Sequence, residues 1–293
     1  MSEGKNILIT GGSGFIASHL IEHFKANGWN VSAYVRKIPG EKISGVNYYE
    51  FDILSPKAIS GIHPDVIVHC AYIKPMKGVD ALQKNIAAAK FLLDQYCRNS
   101  NCFPIFISSL SATADAMSVY GQQKFAIEKI FLENKGATIR PGLVLGNGGL
   151  FASMRDYLKV KQRIPLFGNG KQPLQTVHID DLVKALDIIA TEKKKGNFTI
   201  CEEEPVPYRD FYQGLCDSIN VKPKFVRASF WSAYFTLWMM KKLGVRSPVA
   251  KDSLLGLQQM KKVESKADLE KLGLNLRSWQ KSLDLLAAEA QRR

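Results

Sequence analysis

What the chain lacks narrows the field first. Its five cysteines, Cys70, Cys97, Cys102, Cys201 and Cys216, include no C-x-x-C pair. An odd count without framework spacing excludes a disulfide scaffold and predicts reduced thiols, as expected of a cytoplasmic protein. The histidines, His19, His23, His63, His69 and His178, are not spaced with carboxylates or thiols as metal ligands are, so no metal is expected. No apolar run is long enough to cross a bilayer; the longest, Phe230 to Met240, falls far short. Met1-Ser-Glu-Gly-Lys5 leads straight into an expected strand, so no signal peptide is expected. Acidic residues are scarce, 27 against 40 Lys and Arg, for a net charge of +13. That excess suits nucleic acid, an anionic membrane surface or a polyanionic small molecule, or serves solubility alone. The cations are scattered in short clusters at Lys193–Lys195, Lys241–Lys242 and Lys261–Lys262, with no basic stripe interleaved with aromatics. Nucleic-acid binding is therefore not expected.

What is present is a large apolar fraction, 46% of 293 residues. That is enough for a sizeable core and too much for a disordered chain. Near the start, the apolar run Ile7-Leu8-Ile9 ends in Thr10-Gly-Gly-Ser13-Gly14 and opens into a helical pattern from Phe15 and Ile16. Strand, glycine turn and helix in this order hold a dinucleotide pyrophosphate. Gly11 allows a sharp turn, Gly14 allows the backbone to approach phosphate, and Ala17 lets the helix pack closely. The helix N-terminus offers amides and a positive dipole end to an anion. A glycine turn alone is common, so the rest of the chain has to supply corroboration.

Short apolar runs then alternate with helical spacing. Strands are expected at 28–37, 47–53, 65–71, 103–107 and 137–140, helices at 79–98 and 119–135, and a weak helix near 56–60. This alternation predicts an α/β fold with a Rossmann-type, doubly wound parallel sheet. From Gly142 the pattern changes. Residues 146–149 and 165–173 are rich in turn formers, a helix opens at His178, a strand lies near 197–201, and the remainder reads as mostly helical. The expected division is a dinucleotide-binding domain over 1–141, rejoined by 176–200, and a smaller, mostly helical substrate domain over the rest of 142–293.

Two further features carry chemistry. Tyr120 and Lys124 stand four apart on a helix and share a face, with Ser109 upstream at a strand end. An ammonium beside a phenol lowers its pKa, which prepares Tyr120 to exchange a proton near neutral pH. A serine hydroxyl beside it orients a carbonyl or alcohol oxygen, and the set suits hydride transfer with a nicotinamide cofactor. The second strand ends in Val35-Arg36-Lys37 with no carboxylate for a ribose 2′-hydroxyl. Arg36, helped by Lys37, suits a 2′-phosphate instead. NADP(H) is therefore the preferred cofactor, with NAD(H) compatible.

Together these motifs resemble the extended branch of the short-chain dehydrogenase/reductase superfamily, the NAD(P)-dependent sugar epimerase/dehydratase family. Thr10–Ala17 is similar to its T-G-x-x-G-x-x-G/A loop, and Ser109, Tyr120 and Lys124 to its catalytic triad. The resemblance implies further cofactor contacts. Asp52 and Ile53 would border the adenine, Ala71 and Tyr72 the cofactor's length, and Pro141 the nicotinamide, with Asn85 at a family position. His178-Ile-Asp180-Asp181 resembles the segment between the domains. It also implies roles: Tyr120 protonates a nascent alkoxide, Lys124 binds the nicotinamide ribose, and Ser109 orients the carbonyl. Where the family's dehydratases carry an acid pair, this chain has Ser108-Ser109-Leu110-Ser111, with Asp115 the sole carboxylate of the loop. The expected activity is an NADP(H)-dependent oxidoreductase or epimerase on a nucleotide-diphosphate sugar, a keto-sugar reductase first. Arg163 and Lys171 are weak candidates for the diphosphate. Alternatives are a hydrophobic or lipid-linked carbonyl substrate, and a non-catalytic NADP-binding sensor or RNA-binding relative. A homodimer stays open. So does the place of the aromatic segment 230–240 in core, pocket or membrane contact.

Overall fold

The computed structural model describes residues 5–74, 80–98, 100–242 and 251–291. Val79, where the helical pattern was expected to begin, and Met1–Gly4 lie outside the described residues, as do the side chains of Lys241 and Lys242. In chain order the first half runs β1 (Asn6–Thr10), α1 (Phe15–Ala26), β2 (Asn30–Val35), β3 (Val46–Glu50), β4 (Val66–His69), α2 (Ala81–Tyr96), β5 (Phe103–Ile107), α3 (Val119–Glu133) and β6 (Ala137–Pro141). The second half runs β7 (Leu143–Leu145), α4 (Gly149–Lys161), β8 (Arg163–Phe167), β9 (Pro173–Leu174), β10 (Thr176–His178), α5 (Ile179–Glu192), β11 (Gly196–Ile200), β12 (Val206–Pro207), α6 (Tyr208–Ser218), β13 (Lys224–Ala228), α7 (Phe230–Lys242), α8 (Lys251–Gln258), α9 (Lys266–Leu272) and α10 (Trp279–Gln291).

Seven strands form one parallel sheet in the order β11-β6-β5-β4-β1-β2-β3. The order reverses at β1, which pairs with β2 on one side and β4 on the other. Loops leaving β1 and β4 at their C-terminal ends diverge there and open a crevice. The alternation along β1 shows why both faces must be covered. Ile7 and Ile9 join a core with α1 residues Leu20 and Phe24 and α5 residues Leu182 and Leu186. Leu8 points the other way, into a cluster with Ile67 and Leu92 of α2. A second core, containing Phe151, Leu158, Ile164, Phe211 and Leu283, sits under α4, α6 and α10.

Three strands are shorter than the apolar runs suggested, while β5 spans the expected residues and β6 runs one further, to Pro141. β2, β3 and β4 stop at Val35, Glu50 and His69, and the residues beyond become edge loops. No helix forms at 56–60. Its amides are taken elsewhere: Ser55 N–H donates to the Asp52 carbonyl and Ile59 N–H to the Tyr96 hydroxyl. The turn-rich reading of 146–149 and 165–173 also missed α4 and β8. Gly146 and Gly148 are small because the Phe15 ring occupies the space of their absent side chains. Pro165 is tolerated because β8 belongs to a two-stranded parallel ribbon with β13. No helix among the described residues is long and apolar enough to cross a membrane.

α3 is locked to the sheet by a bidentate ion pair. Arg140 of β6 donates to Glu128 of α3 through Nε at 2.7 Å and through a terminal nitrogen at 2.5 Å, and the Glu128 side chain is 2% exposed. Removing one partner of such a pair leaves the other desolvated and unsatisfied. Glu128→Ala is expected to lower unfolding stability by roughly 2–4 kcal/mol, read as a lower urea midpoint at unchanged slope. Adding Arg140→Met should recover part of that loss.

Candidate active site

The C-terminal edge of the sheet brings the glycine loop and the Ser/Tyr/Lys set to one side of the molecule. Gly11 holds φ +70°, and a Cβ there would meet the Cα and N of Ala71 at 2.9 Å. A side chain at position 11 would therefore have to displace the β4 exit. The turn closes when Gly14 N–H donates to the Gly11 carbonyl at 2.7 Å. Ser13 and Gly14 are exposed, and Phe15 and Ile16 half-buried. α1 starts from Gly14 with no side-chain cap and no acidic residue in its first turn. Its first amides and its dipole are thus left for an outside anion, and this cradle fits a dinucleotide pyrophosphate. Beneath it, the Thr10 hydroxyl and His69 Nδ1 share a 2.7 Å hydrogen bond, and Ala71 N–H donates to the same hydroxyl at 3.2 Å. Burial and the Lys124 charge push the His69 pKa down to about 3, so this imidazole is a neutral structural link.

The neighbouring strand ends hold the other expected contacts in different ways. Arg36 and Lys37 follow β2 and are exposed. Asp52 is exposed, and its carboxylate accepts from Leu54 N–H at 2.9 Å, capping its own turn. Ile53 is buried against Ile73 and Ala88. Asn85 is fully buried, and both ends of its amide grip the backbone of Ile73, at 2.9 and 3.0 Å. It braces the 71–73 segment from behind. Tyr72 donates to Gln123 Oε1 at 2.5 Å, and its ring meets Tyr120 edge-on at 5.2 Å. Pro141 ends β6 and is buried.

Ser109, Tyr120 and Lys124 meet at the ends of β5 and α3. Lys124 is buried. Its ammonium donates to the Ile107 carbonyl at 2.7 Å and lies 4.6 Å from the Phe106 ring centroid, 4.9 Å from Tyr72 and 5.8 Å from Tyr120. A carbonyl and ring faces compensate its charge only in part, and burial lowers its pKa to about 8. Ser109 near the Tyr120 hydroxyl favours phenolate, but burial dominates and raises the Tyr120 pKa. The expected lowering is therefore corrected: desolvation of the phenol dominates, and the shift is upward. Tyr120 is neutral at physiological pH. Asp115 lies outside this set, exposed and 3.4 Å from Lys261. Among the described residues no cluster of His, Cys, Asp or Glu could hold a metal ion.

Residues far along the chain, which sequence reading did not single out, brace the site. Asp252 of α8 accepts from Val119 N–H at 2.6 Å and Tyr120 N–H at 3.1 Å, so its carboxylate sits on the N-terminal dipole of α3. Gln259 accepts from Met117 N–H at 2.6 Å and donates to the Asp115 carbonyl at 3.0 Å. Ser118 caps the same helix end through Gly121 N–H at 3.0 Å. The Ser118 cap has a sequence signal; the Asp252 and Gln259 contacts span more than 130 residues and have none. His178, Asp180 and Asp181 at the start of α5 gather Arg277, which bonds Asp180 at 3.0 Å and Asp181 at 3.1 Å. That cluster ties the C-terminal segment to α5.

The buried ammonium sets a pH dependence. Lys124 titrates near 8 when folded and near 10.5 when unfolded. Over that interval the unfolded chain binds more protons, so stability from this group rises with pH between about 8 and 10.5. Below pH 8 Lys124 opposes folding by a constant amount. Comparing wild type with Lys124→Met isolates the effect: the stability difference should shift towards wild type by about 3 kcal/mol across the window. Urea melts at stepped pH check this, and a flat difference would contradict it.

Comparison with known proteins places this geometry. The profile of the NAD dependent epimerase/dehydratase family matches residues 7–201. The chain is 20% identical over 281 residues to a mouse (Mus musculus) sterol-4-alpha-carboxylate 3-dehydrogenase, decarboxylating, covering 83% of this chain and 76% of that protein. Among solved structures it is similar to UDP-glucose 4-epimerase of Thermotoga maritima with UDP-glucose, at 20% identity, 98% and 99% coverage and a TM-score of 0.73. It is also similar to MoeE5 in complex with UDP-glucuronic acid and NAD, at 19% identity, 98% and 99% coverage and a TM-score of 0.75. The glycine cradle, the seven-stranded sheet and the family match agree: the chain belongs to the NAD-dependent epimerase/dehydratase family of oxidoreductase-type enzymes.

Proposed function

We propose that this enzyme transfers hydride between a nicotinamide cofactor and a carbonyl or alcohol carbon of a nucleotide-diphosphate sugar, acting as a keto-sugar reductase. The observation that carries the reading is the Ser109–Tyr120–Lys124 cluster beside a pyrophosphate cradle. The bound cofactor supplies or accepts the hydride. Ser109 Oγ orients the substrate oxygen. Tyr120, kept protonated by burial, gives its hydroxyl proton to that oxygen as it gains charge. Lys124, fixed on the Ile107 carbonyl, holds positive charge beside the phenol and is placed to meet the nicotinamide ribose. A protonated donor suits the reductive direction. The absence of an acid pair after β5, with Asp115 turned to Lys261, argues against a dehydratase. The solved relatives holding UDP-glucose, or UDP-glucuronic acid with NAD, support the sugar-nucleotide class. The sterol dehydrogenase relative supports a second reading, a hydrophobic carbonyl substrate.

Arg36 and Lys37 are proposed to select NADP(H) over NAD(H), since no carboxylate ends β2 and both side chains are exposed. Ser13 to Ile16 would hold the pyrophosphate and Pro141 would back the nicotinamide.

Tyr120→Phe is expected to reduce turnover by about 100-fold or more while leaving the cofactor Kd nearly unchanged. Stopped-flow hydride transfer and cofactor titration separate the two, and unchanged turnover refutes the role. Arg36→Asp should lower kcat/KM for NADPH by about tenfold or more and leave NADH little changed, from loss of a charge-assisted pair. Equal use of both cofactors by wild type would overturn the preference. A thermal-shift screen of nucleotide sugars in the presence of NADPH identifies the substrate class, because a specific ligand raises Tm by mass action.

A further inference from the structure

α7 presents an aromatic ridge to the outside. Trp231, Phe235 and Trp238 stand at i, i+4 and i+7 and are 76%, 49% and 50% exposed. The Trp231 and Phe235 rings stack at 5.7 Å with their planes 7° apart, and Phe235 and Trp238 follow at 5.9 Å. Met239 and, on β13, Val226 are also exposed. The inner side of the helix is fixed. Phe230 stacks on Phe167 at 4.9 Å, and the Tyr234 hydroxyl donates to Gln258 at 3.1 Å. The ridge is therefore held outward by a packed helix.

The sequence that flanks the ridge carries charge of one sign. Residues 218–251 contain seven Lys or Arg and no Asp or Glu. Lys222, Lys224 and Arg227 are exposed on and beside β13. Lys241 and Lys242 follow the ridge in sequence. Half of the chain's +13 excess is concentrated in this one stretch.

We propose that α7 and the β13 segment form a peripheral docking surface for an anionic lipid bilayer, independent of the reaction assigned above. Tryptophan rings settle at the boundary between headgroups and acyl chains, and an exposed apolar ridge alone binds a bilayer weakly. A cluster of cations beside it adds the second signal, attraction to acidic headgroups. At 13 residues the helix lies in the interface plane and does not span. A second copy of the chain fits this surface poorly. An isologous contact would press the exposed cations Lys222, Lys224 and Arg227 of two copies together.

Vesicle flotation of the full chain tests this, using phosphatidylcholine alone and phosphatidylcholine mixed with phosphatidylglycerol. Wild type should float with the mixed vesicles, fail to float with phosphatidylcholine alone, and be released by salt. Binding should blue-shift the tryptophan emission, and the shift should vanish in W231F/W238F, which leaves Trp29 and Trp279 in place. W231A/F235A/W238A should bind at least about tenfold more weakly. K222E/K224E/R227E, which leaves the helix untouched, should lose binding to a similar degree and covers the case in which the aromatic variant misfolds. Three results overturn the proposal: no flotation of wild type with anionic vesicles, flotation of both triple variants to the same extent as wild type, or a lipid-free dimer or nucleic-acid complex that W231A/F235A/W238A dissolves.

Discussion

The close approach of two backbones at the centre of the sheet governs the rest of the edge. At Gly11 the β1 turn lies so near Ala71 that a single added carbon would reach the Ala71 Cα and N at 2.9 Å. Glycine supplies both the missing Cβ and the positive φ. The bond between Thr10 and His69 fixes β1 against β4 just below. With that spacing set, α1 begins where its free amides face the crevice, and the β4 exit carries Tyr72 towards Tyr120.

Electrostatics at the far side of the crevice is set by desolvation. Lys124 is an ammonium with one carbonyl partner and three ring faces, and it holds its proton only weakly. The same dry surroundings keep Tyr120 protonated despite its cationic neighbour. A phenol that stays neutral and an ammonium that titrates near neutrality are opposite shifts from one cause, since burial disfavours the charged form of each. The Glu128–Arg140 pair, one helical turn further along α3, holds the helix that carries both groups.

The C-terminal half acts on the site through contacts that cross the whole chain. The Asp252 carboxylate and the Gln259 amide hold the start of α3, so the segment bearing the aromatic ridge of α7 continues into the brace behind Tyr120. Phe15, packed against the first core, fills the hollow left by Gly146 and Gly148 and so joins the start of α1 to the loop before α4. Arg277, gathered by His178, Asp180 and Asp181, closes the connection from the C-terminal side.

Local chemistry made the sheet and the cofactor loop legible in the sequence. Strand-length apolar runs alternate with helical spacing, and the glycine turn between the first strand and helix gained its meaning from the Ser109, Tyr120 and Lys124 set downstream. The Tyr120–Lys124 spacing likewise put two side chains on one face without any knowledge of the fold. The sequence alone could not reveal what packing decides. Proximity of Lys124 to Tyr120 suggested a lowered phenol pKa, and burial, a property of the whole core, reversed it. Asn85 stood out in the sequence only as a family position, and the fold shows its amide bonded at both ends to the Ile73 backbone. The glycines at 146 and 148 read as turn formers until the Phe15 ring was seen between them. Asp252 had no signal at all, because a carboxylate gains meaning as a helix cap only when tertiary structure brings it to the helix end. Sequence determined the periodicity and the loop chemistry; the tertiary structure decided which charges are buried and which distant residues hold the site, since desolvation and long-range hydrogen bonds depend on what the folded chain brings alongside.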